Sequence, residues 1–249
     1  MPLLILAAFV TVAGFAPWRR VVKQPFIALQ HDAPLGIDHD THFHLLLQNA
    51  HIRVFALTLP PNSESFVRYE HNFLTIAPDE GEIILWKEGE SPVQHFHVPK
   101  GELHFFLGQA ARGLRNDARS GDYRNVTVEF LDPHITTYGY RYYSGKWDYG
   151  PSILNSPVDA AGHFVNSLDL GRAVASDVQL LPKEFLPAST RQQVLVAVTE
   201  VNLQTGKRKI HLEPGAVLWL EGREAELVNA GNDPARFAVV ELKAANEQY

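Results

Sequence analysis

The sequence predicts an all-β protein that folds as two β-barrels in tandem. Three observations support this expectation: short strand-like runs follow one another along the chain, turn-forming clusters separate them, and one pattern of residues occurs twice. Regular short strands between turn clusters are typical of sandwiches and barrels. No long window has apolar residues at the helical spacing of i, i+3, i+4 and i+7. We therefore expect little helix.

The strand-like runs are rich in β-branched, aromatic and aliphatic residues, which favour strands. They cover residues 52–59, 73–76, 82–86, 93–98 and 125–130. The turn clusters combine proline, glycine, asparagine and acidic residues, and they fall at 60–62, 78–81 and 88–90. This spacing leaves room for strands but not for long helices.

An internal repeat divides the chain into two halves. Each half has an asparagine, a polar turn, an arginine, a β run and a glutamate, in this order: Asn116, Arg124 and Glu129, then Asn229, Arg236 and Glu241. A run that ends in a proline turn precedes each set, at 59–61 and at 180–182. A repeat of this kind indicates two copies of one structural unit. We assign residues 40–133 to a first barrel and 163–249 to a second, more degenerate one.

Residues 1–39 precede the first barrel and begin with an apolar run from Leu3 to Ala16. This run has the length of a signal-peptide core and is short for a membrane-spanning helix. We expect export to the periplasm or the extracellular space, or contact with a membrane through this segment alone if it is not cleaved. The alternative is a cytoplasmic protein in which the run is a misassigned start or a buried strand.

Residues 134–162 connect the barrels and hold five of the eight tyrosines, between Tyr138 and Tyr149. Tyr138, Tyr140 and Tyr142 alternate, so in a strand they would share one face. The segment is predicted to be an aromatic arm over the junction between the barrels. The alternative is a stacking surface for a planar or sugar ligand.

Composition excludes several classes of function. The formal net charge is −6 and no basic cluster is present, whereas a nucleic-acid partner requires a positive surface. Cysteine is absent, which excludes disulfides, thiolate metal sites and a cysteine nucleophile. We therefore expect no nucleic-acid partner.

Two stretches of the sequence resemble the motifs of the cupin superfamily, in particular bacterial bicupins. They run from Gln48 to Asn62 and from Gly215 to Phe237. The resemblance implies two jelly-roll barrels, each a double-stranded β-helix. It also implies an interior metal site in which a His-x-His pair, a carboxylate and a third histidine hold iron, manganese, zinc or nickel.

Other residues occupy the positions of those histidines here. In the best register, Val67 and Tyr69 replace the pair, and Arg112, four residues before Asn116, replaces the third histidine. Valine has no lone pair, and arginine stays protonated. In the second half, the stretch 186–192 replaces the pair and Ala225 the third histidine.

We therefore expect no cofactor, and a small-molecule pocket in the first barrel formed by Val67, Arg68, Tyr69, His71 and Arg112. Arg112 could hold a carboxylate ligand through two hydrogen bonds. The alternative is that Arg112 neutralises a glutamate, either Glu70 or Glu129. Because the motifs lack the usual metal-binding histidines, we expect a protein that is not an enzyme.

Two other functions stay open. One divalent transition metal could be held by His95, His97 and His104, with His71 as a fourth ligand. On a strand, His95 and His97 share one face. The turn at Pro99-x-Gly101 could bring His104 back along the chain to lie beside them. The chain would then be a metal-dependent enzyme, a dioxygenase or an isomerase. Alternatively, the barrels could form a dimerisation or structural scaffold, because pairing in a homodimer protects sheet edges.

Overall fold

The computed structural model describes residues 33–89, 94–137, 149–153, 162–222 and 226–244. Twenty β-strands and one 3-10 turn, Ile37–His39, form the described part of the chain. The prediction of an all-β fold with two barrels in tandem is confirmed. Within the described ranges, no helix is long and apolar enough to cross a membrane. The apolar run from Leu3 to Ala16 lies outside these ranges, as does the tyrosine-rich part of the connector before Tyr149.

Two sheets form the first barrel. The outer sheet has the order β1 (Leu35–Gly36), β4 (Glu64–Tyr69), β9 (Ala110–Asn116), β6 (Gly81–Lys87), β7 (Gln94–Val98). The central sheet has the order β11 (Tyr149–Ile153), β8 (Leu103–Phe106), β5 (Phe73–Ile76), β10 (Tyr123–Phe130), β3 (Ile52–Leu59), β2 (Phe43–Gln48). Strand β1 comes from the predicted N-terminal segment and pairs with β4 in parallel. Strand β11 comes from the predicted connector and pairs with β8.

Two further sheets form the second barrel. The facing sheet has the order β12 (Phe164–Asp169), β13 (Ala173–Leu180), β20 (Ala235–Leu242), β15 (Gln192–Ala197), β18 (Val217–Leu220). The far sheet has the order β14 (Phe185–Leu186), β19 (Leu227–Asn229), β16 (Val201–Thr205), β17 (Arg208–Leu212). Aliphatic side chains and Phe237 fill the space between these sheets, among them Val178, Leu195, Leu203 and Leu227.

The central sheet of the first barrel packs against the facing sheet of the second. One buried cluster contains Leu74, Phe105 and Val128 from the first barrel together with Val194 and Val240 from the second. Alternate residues on a strand point to opposite faces. The residues between these, such as Phe73 and Thr127, therefore face the interior of the first barrel, and the central sheet is buried on both faces.

The repeated asparagine closes the loop that precedes the last long strand of each barrel. The Nδ2 of Asn116 donates to the carbonyls of Leu59 and Gly121, each at 2.9 Å. Its Oδ1 accepts the amide of Ala118 at 3.0 Å. The side chain is fully buried, so these bonds replace the water that the loop backbone would otherwise need.

Asn229 makes the same contacts in the second barrel. Its Nδ2 donates to the carbonyls of Leu180 at 3.0 Å and Asp233 at 2.8 Å, and its Oδ1 accepts the amide of Gly231 at 2.9 Å. Leu180 ends β13 as Leu59 ends β3. The repeat in the sequence therefore records one hydrogen-bonding arrangement that was used twice.

The repeated arginine has different surroundings in the two barrels. Arg124 lies on the surface and binds Asp79. Arg236 is only 2% exposed, and its Nε and one terminal nitrogen donate to the two carboxylate oxygens of Asp177, at 3.1 and 2.9 Å. Burial raises the pKa of Asp177, and Arg236 opposes this increase.

We expect Asn116→Ala and Asn229→Ala to destabilise the protein by similar amounts, about 2–3 kcal/mol each. Each substitution leaves two buried carbonyls and one amide without their partner, and a lost hydrogen bond of this kind costs about 1 kcal/mol. The unfolding midpoint in urea measures the effect, with exposed Gln48→Ala as the control. A loss below about 0.5 kcal/mol for either variant would contradict the role given to these asparagines.

Candidate functional site

A cavity of about 320 Å³ lies inside the first barrel, between the outer and central sheets. Apolar side chains form most of its wall, including Phe43, Leu57, Ile83, Leu85, Trp86 and Phe96. A volume of this size lies at the lower end of the range of about 300–1,000 Å³ found for small-molecule sites.

Alternation along two strands of the outer sheet decides which predicted pocket residues reach this cavity. On β4, Val67 and Tyr69 point inward and are buried. On the neighbouring strand β9, Arg112 lies directly opposite Val67 and also lines the cavity. The three residues at the positions of metal ligands in the resembling family are thus brought together in the interior.

Arg68 and His71 do not line the cavity, which corrects the predicted pocket. Arg68 lies between two inward residues of β4, so its side chain points out, is 45% exposed and binds Glu88 at 2.7 Å. His71 lies in the turn between β4 and β5, where its backbone amide, 3.4 Å from an oxygen of Glu129, donates to it.

A row of stacked rings lines the cavity, with Tyr69 from β4 of the outer sheet and the other rings from the central sheet. The rings of Tyr69 and Phe73 stack with their centroids 3.9 Å apart, and those of Phe73 and Phe106 with their centroids 5.0 Å apart. The ring of His104 continues the row, 4.5 Å from Phe106. Phe73 and Phe106 are directly paired neighbours on β5 and β8, so sheet register produces this flat aromatic wall.

The guanidinium of Arg112 lies against this row at Phe106. Its central carbon is 5.2 Å from the ring centroid of Phe106, and one terminal nitrogen donates to the carbonyl of Leu107 at 3.3 Å. Burial raises the pKa of Tyr69 strongly, while the positive charge of Arg112 lowers it. Glu129, a predicted alternative partner of Arg112, is bonded to Arg53 at 2.8 Å instead.

A second polar group lies where β8 begins. Glu102 and His104 both line the cavity, with the Oε1 of Glu102 3.6 Å from the Nδ1 of His104. Tyr123 and Asn125 face the same cavity from β10. Burial raises the pKa of Tyr123 to about 12, and its hydrogen bond to Asn125 acts in the opposite direction. Tyr123 is therefore a neutral phenol at physiological pH.

The structure does not gather the three histidines of the alternative metal site. The side chain of His95 is 55% exposed and lies 3.2 Å from Asp117. His97 lines the cavity, as His104 does, but its Nδ1 lies 2.8 Å from Glu82. His104 stacks on Phe106 inside the barrel. Across the residues that the structure describes, no group of three or more histidine, aspartate or glutamate side chains could hold a metal ion.

The metal implied by the family resemblance does not fit the residues present at its position. Val67 offers no lone pair, Arg112 is a permanent cation, and Tyr69 is held neutral by burial. In the second barrel, Ala225 lies outside the described residues. Aliphatic side chains such as Val178 and Leu203 occupy the interior of that barrel.

Three solved structures resemble this one over most of the chain. A cupin 2 conserved barrel domain protein from Leptotrichia buccalis superposes with a TM-score of 0.52 at 10% identity, over 81% of this chain and 88% of that one. The chain has a cupin fold. Salicylate 1,2-dioxygenase from Pseudaminobacter salicylatoxidans superposes with a TM-score of 0.55 at 12% identity, over 81% and 76% of the two chains. Vicilin from Corylus avellana superposes with a TM-score of 0.52 at 12% identity, over 83% and 85%.

No protein-family model and no curated protein sequence matches the chain. Proteins with such different names resemble this architecture at 12% identity or less, and one fold hosts many unrelated functions. The function of this protein therefore has to be argued from its cavity.

Several cavity residues were not predicted from the sequence as parts of a pocket. Phe73 lies in a run that is predicted to be a strand, whereas Glu102, Phe106 and Tyr123 lie outside the predicted runs. Alternation within 103–106 and 123–130 was an available signal, since it places every second residue on one face. It does not reveal which face meets a cavity.

We expect the purified protein to contain no stoichiometric transition metal. Such an ion needs about four nitrogen or oxygen donors at about 2.0–2.2 Å, and the interior residues at the family's ligand positions supply none. Elemental analysis measures the metal content. About one equivalent of iron, manganese, zinc or nickel that is lost in a His95→Ala/His97→Ala variant would contradict this expectation and would favour the enzyme.

We expect the stability of the protein to fall between pH 10 and 12 and Tyr123→Phe to reduce this fall. The pKa of Tyr123 is raised from 10.0 to about 12 in the folded chain, so its contribution is complete below pH 10 and is lost as the pH rises to 12. One pH unit corresponds to about 1.4 kcal/mol, which gives roughly 2–3 kcal/mol over this window. Urea unfolding at several pH values measures it, and parallel declines in both proteins would refute the assignment.

Proposed function

We propose that the first barrel of this cupin binds a small organic acid. The carboxylate of the ligand binds the guanidinium of Arg112, and its apolar, ring-containing body lies along the stacked rings of Tyr69, Phe73 and Phe106. The position of Arg112 supports this proposal best: it is a permanent cation that lines a largely apolar cavity of about 320 Å³.

The guanidinium suits this role for two reasons. Its planar fork matches the geometry of a carboxylate and can make two parallel hydrogen bonds. The contacts of Arg112 with Phe106 and the carbonyl of Leu107 restrict its movement, so less conformational entropy is lost when a ligand binds.

The stacked rings favour a flat ligand. Tyr69 and Phe73 lie nearly parallel, with 13° between their planes, and Phe73 and Phe106 with 17°. Aromatic faces provide large contact areas and prefer offset stacking or edge contacts with another ring. A ring attached to the carboxylate would therefore gain more from this wall than a branched aliphatic chain.

The second barrel has a structural part in this proposal. Its interior is packed with side chains such as Leu195, Ile210 and Leu220, and its facing sheet covers the back of the wall that carries the stacked rings. Binding is thus assigned to the first barrel and support to the second.

We expect 3-phenylpropionate to bind the protein at least tenfold more tightly than the neutral 3-phenylpropanamide, and Arg112→Met to abolish this preference. Hydrogen bonds to a charged group contribute about 1.5–3 kcal/mol, and 1.4 kcal/mol corresponds to a tenfold change in affinity. Titration calorimetry measures both ligands.

The matched control is Arg68→Met, because Arg68 is the outward-facing arginine on the adjacent strand β4 and contacts Glu88 instead of the cavity. It should bind both compounds as the unmodified protein does. Equal binding of acid and amide by the unmodified protein, or an equal loss in both variants, would refute the proposed role of Arg112.

A further inference from the structure

We infer that the pocket selects organic acids that carry a hydrogen-bond donor, such as a phenolic hydroxyl, at the end opposite the carboxylate. This inference rests on the proposed function and deepens it. It comes from a second polar group in the same cavity, Glu102, which lies four residues along the chain from Phe106, the residue whose ring Arg112 covers.

The register of the strands separates the two polar groups. Glu102, His104 and Phe106 alternate along one chain segment, and all three line the cavity. Four residues of extended chain span about 13 Å, and Arg112 lies over the ring of Phe106 at the far end of this span. Both side chains line the cavity, so an elongated ligand with one ring would approach both groups.

Glu102 determines which end group is accepted. Its side chain is 13% exposed, and a ligand that fills the cavity would remove the remaining water from it. A carboxylate accepts hydrogen bonds, and burying one against an apolar group leaves its oxygens unpaired, at a considerable cost in free energy. A hydroxyl at the end of the ligand would replace the lost water, whereas a methyl group of similar size would not.

The neighbours of Glu102 are arranged to leave this role to its carboxylate. Asn125 already accepts a hydrogen bond from Thr127 at 3.1 Å, and Tyr123 bonds to Asn125. His104 is stacked on Phe106, and its Nδ1 lies 3.6 Å from Oε1 of Glu102, which leaves the other carboxylate oxygen to face a ligand. A second carboxylate on the ligand would be repelled by Glu102, so the pocket should also discriminate against diacids.

The experiment compares three ligands that differ only at the end of the ring: 3-(4-hydroxyphenyl)propionate, 3-(4-methylphenyl)propionate and 3-(4-carboxyphenyl)propionate. We expect the unmodified protein to bind the hydroxyl compound at least tenfold more tightly than either of the others. The benzoate and phenylacetate analogues, measured in the same way, show whether a shorter span fits better.

Glu102→Gln tests whether the glutamate causes this selection. Removing the negative charge should improve binding of the diacid at least tenfold, and this gain cannot come from a misfolded variant. Glu88→Gln is the matched control: Glu88 is exposed and bonded to Arg68, and its variant should retain the original order of affinities.

The outcomes separate this inference from the proposed function. If the hydroxyl and methyl compounds bind equally well and both depend on Arg112, the inference is wrong and the proposed function stands. If the hydroxyl preference exists but Glu102→Gln does not improve binding of the diacid, the inference is also wrong. If no acid of any length binds, both the inference and the proposed function are wrong.

Discussion

The central sheet of the first barrel is buried on both faces, and the rest of the molecule depends on this arrangement. On β10, the residues that face the barrel interior include Asn125, Thr127 and Glu129, while Val126 and Val128 face the second barrel. A shift of one residue in register would press the polar set against the second barrel and turn the valines into the first. Register in this sheet is therefore strongly fixed, and with it the row of rings along the cavity.

The same arrangement brings the second barrel to the rim of the pocket. The buried guanidinium of Arg236 lies against Gly101, where an added Cβ would be 2.5 Å from its central carbon and where the backbone φ is +83°. Gly101 donates its amide to Ala77, and both neighbours of the turn, Pro99 and Glu102, line the cavity. A buried ion pair such as Arg236 with Asp177 adds little net stability. Here the guanidinium of Arg236 packs against the turn at Gly101.

Much of the fold could be predicted from the sequence because its signals are local. Asn116 and its counterpart in the second barrel each close a loop of a few residues, so the repeat is visible along the chain. Alternation within β4 likewise puts Val67 and Tyr69 on one face. The same alternation puts Arg68 on the opposite face, so its inclusion in the predicted pocket was wrong. The contribution of Phe106 could not be predicted, because it depends on the pairing of β8 with β5, which residue spacing does not encode.

The position of Arg112 shows how one barrel can serve different chemistry. A metal ion at this position would require several donors to converge, and each would have to give up a lone pair. A guanidinium carries its own charge and needs only support, which the ring of Phe106 and the carbonyl of Leu107 provide. The positions that metal-binding residues would occupy are then taken by Val67 and by the ring of Tyr69. Arg112 therefore keeps a positive charge in the interior, and a guanidinium can hold an anion through hydrogen bonds.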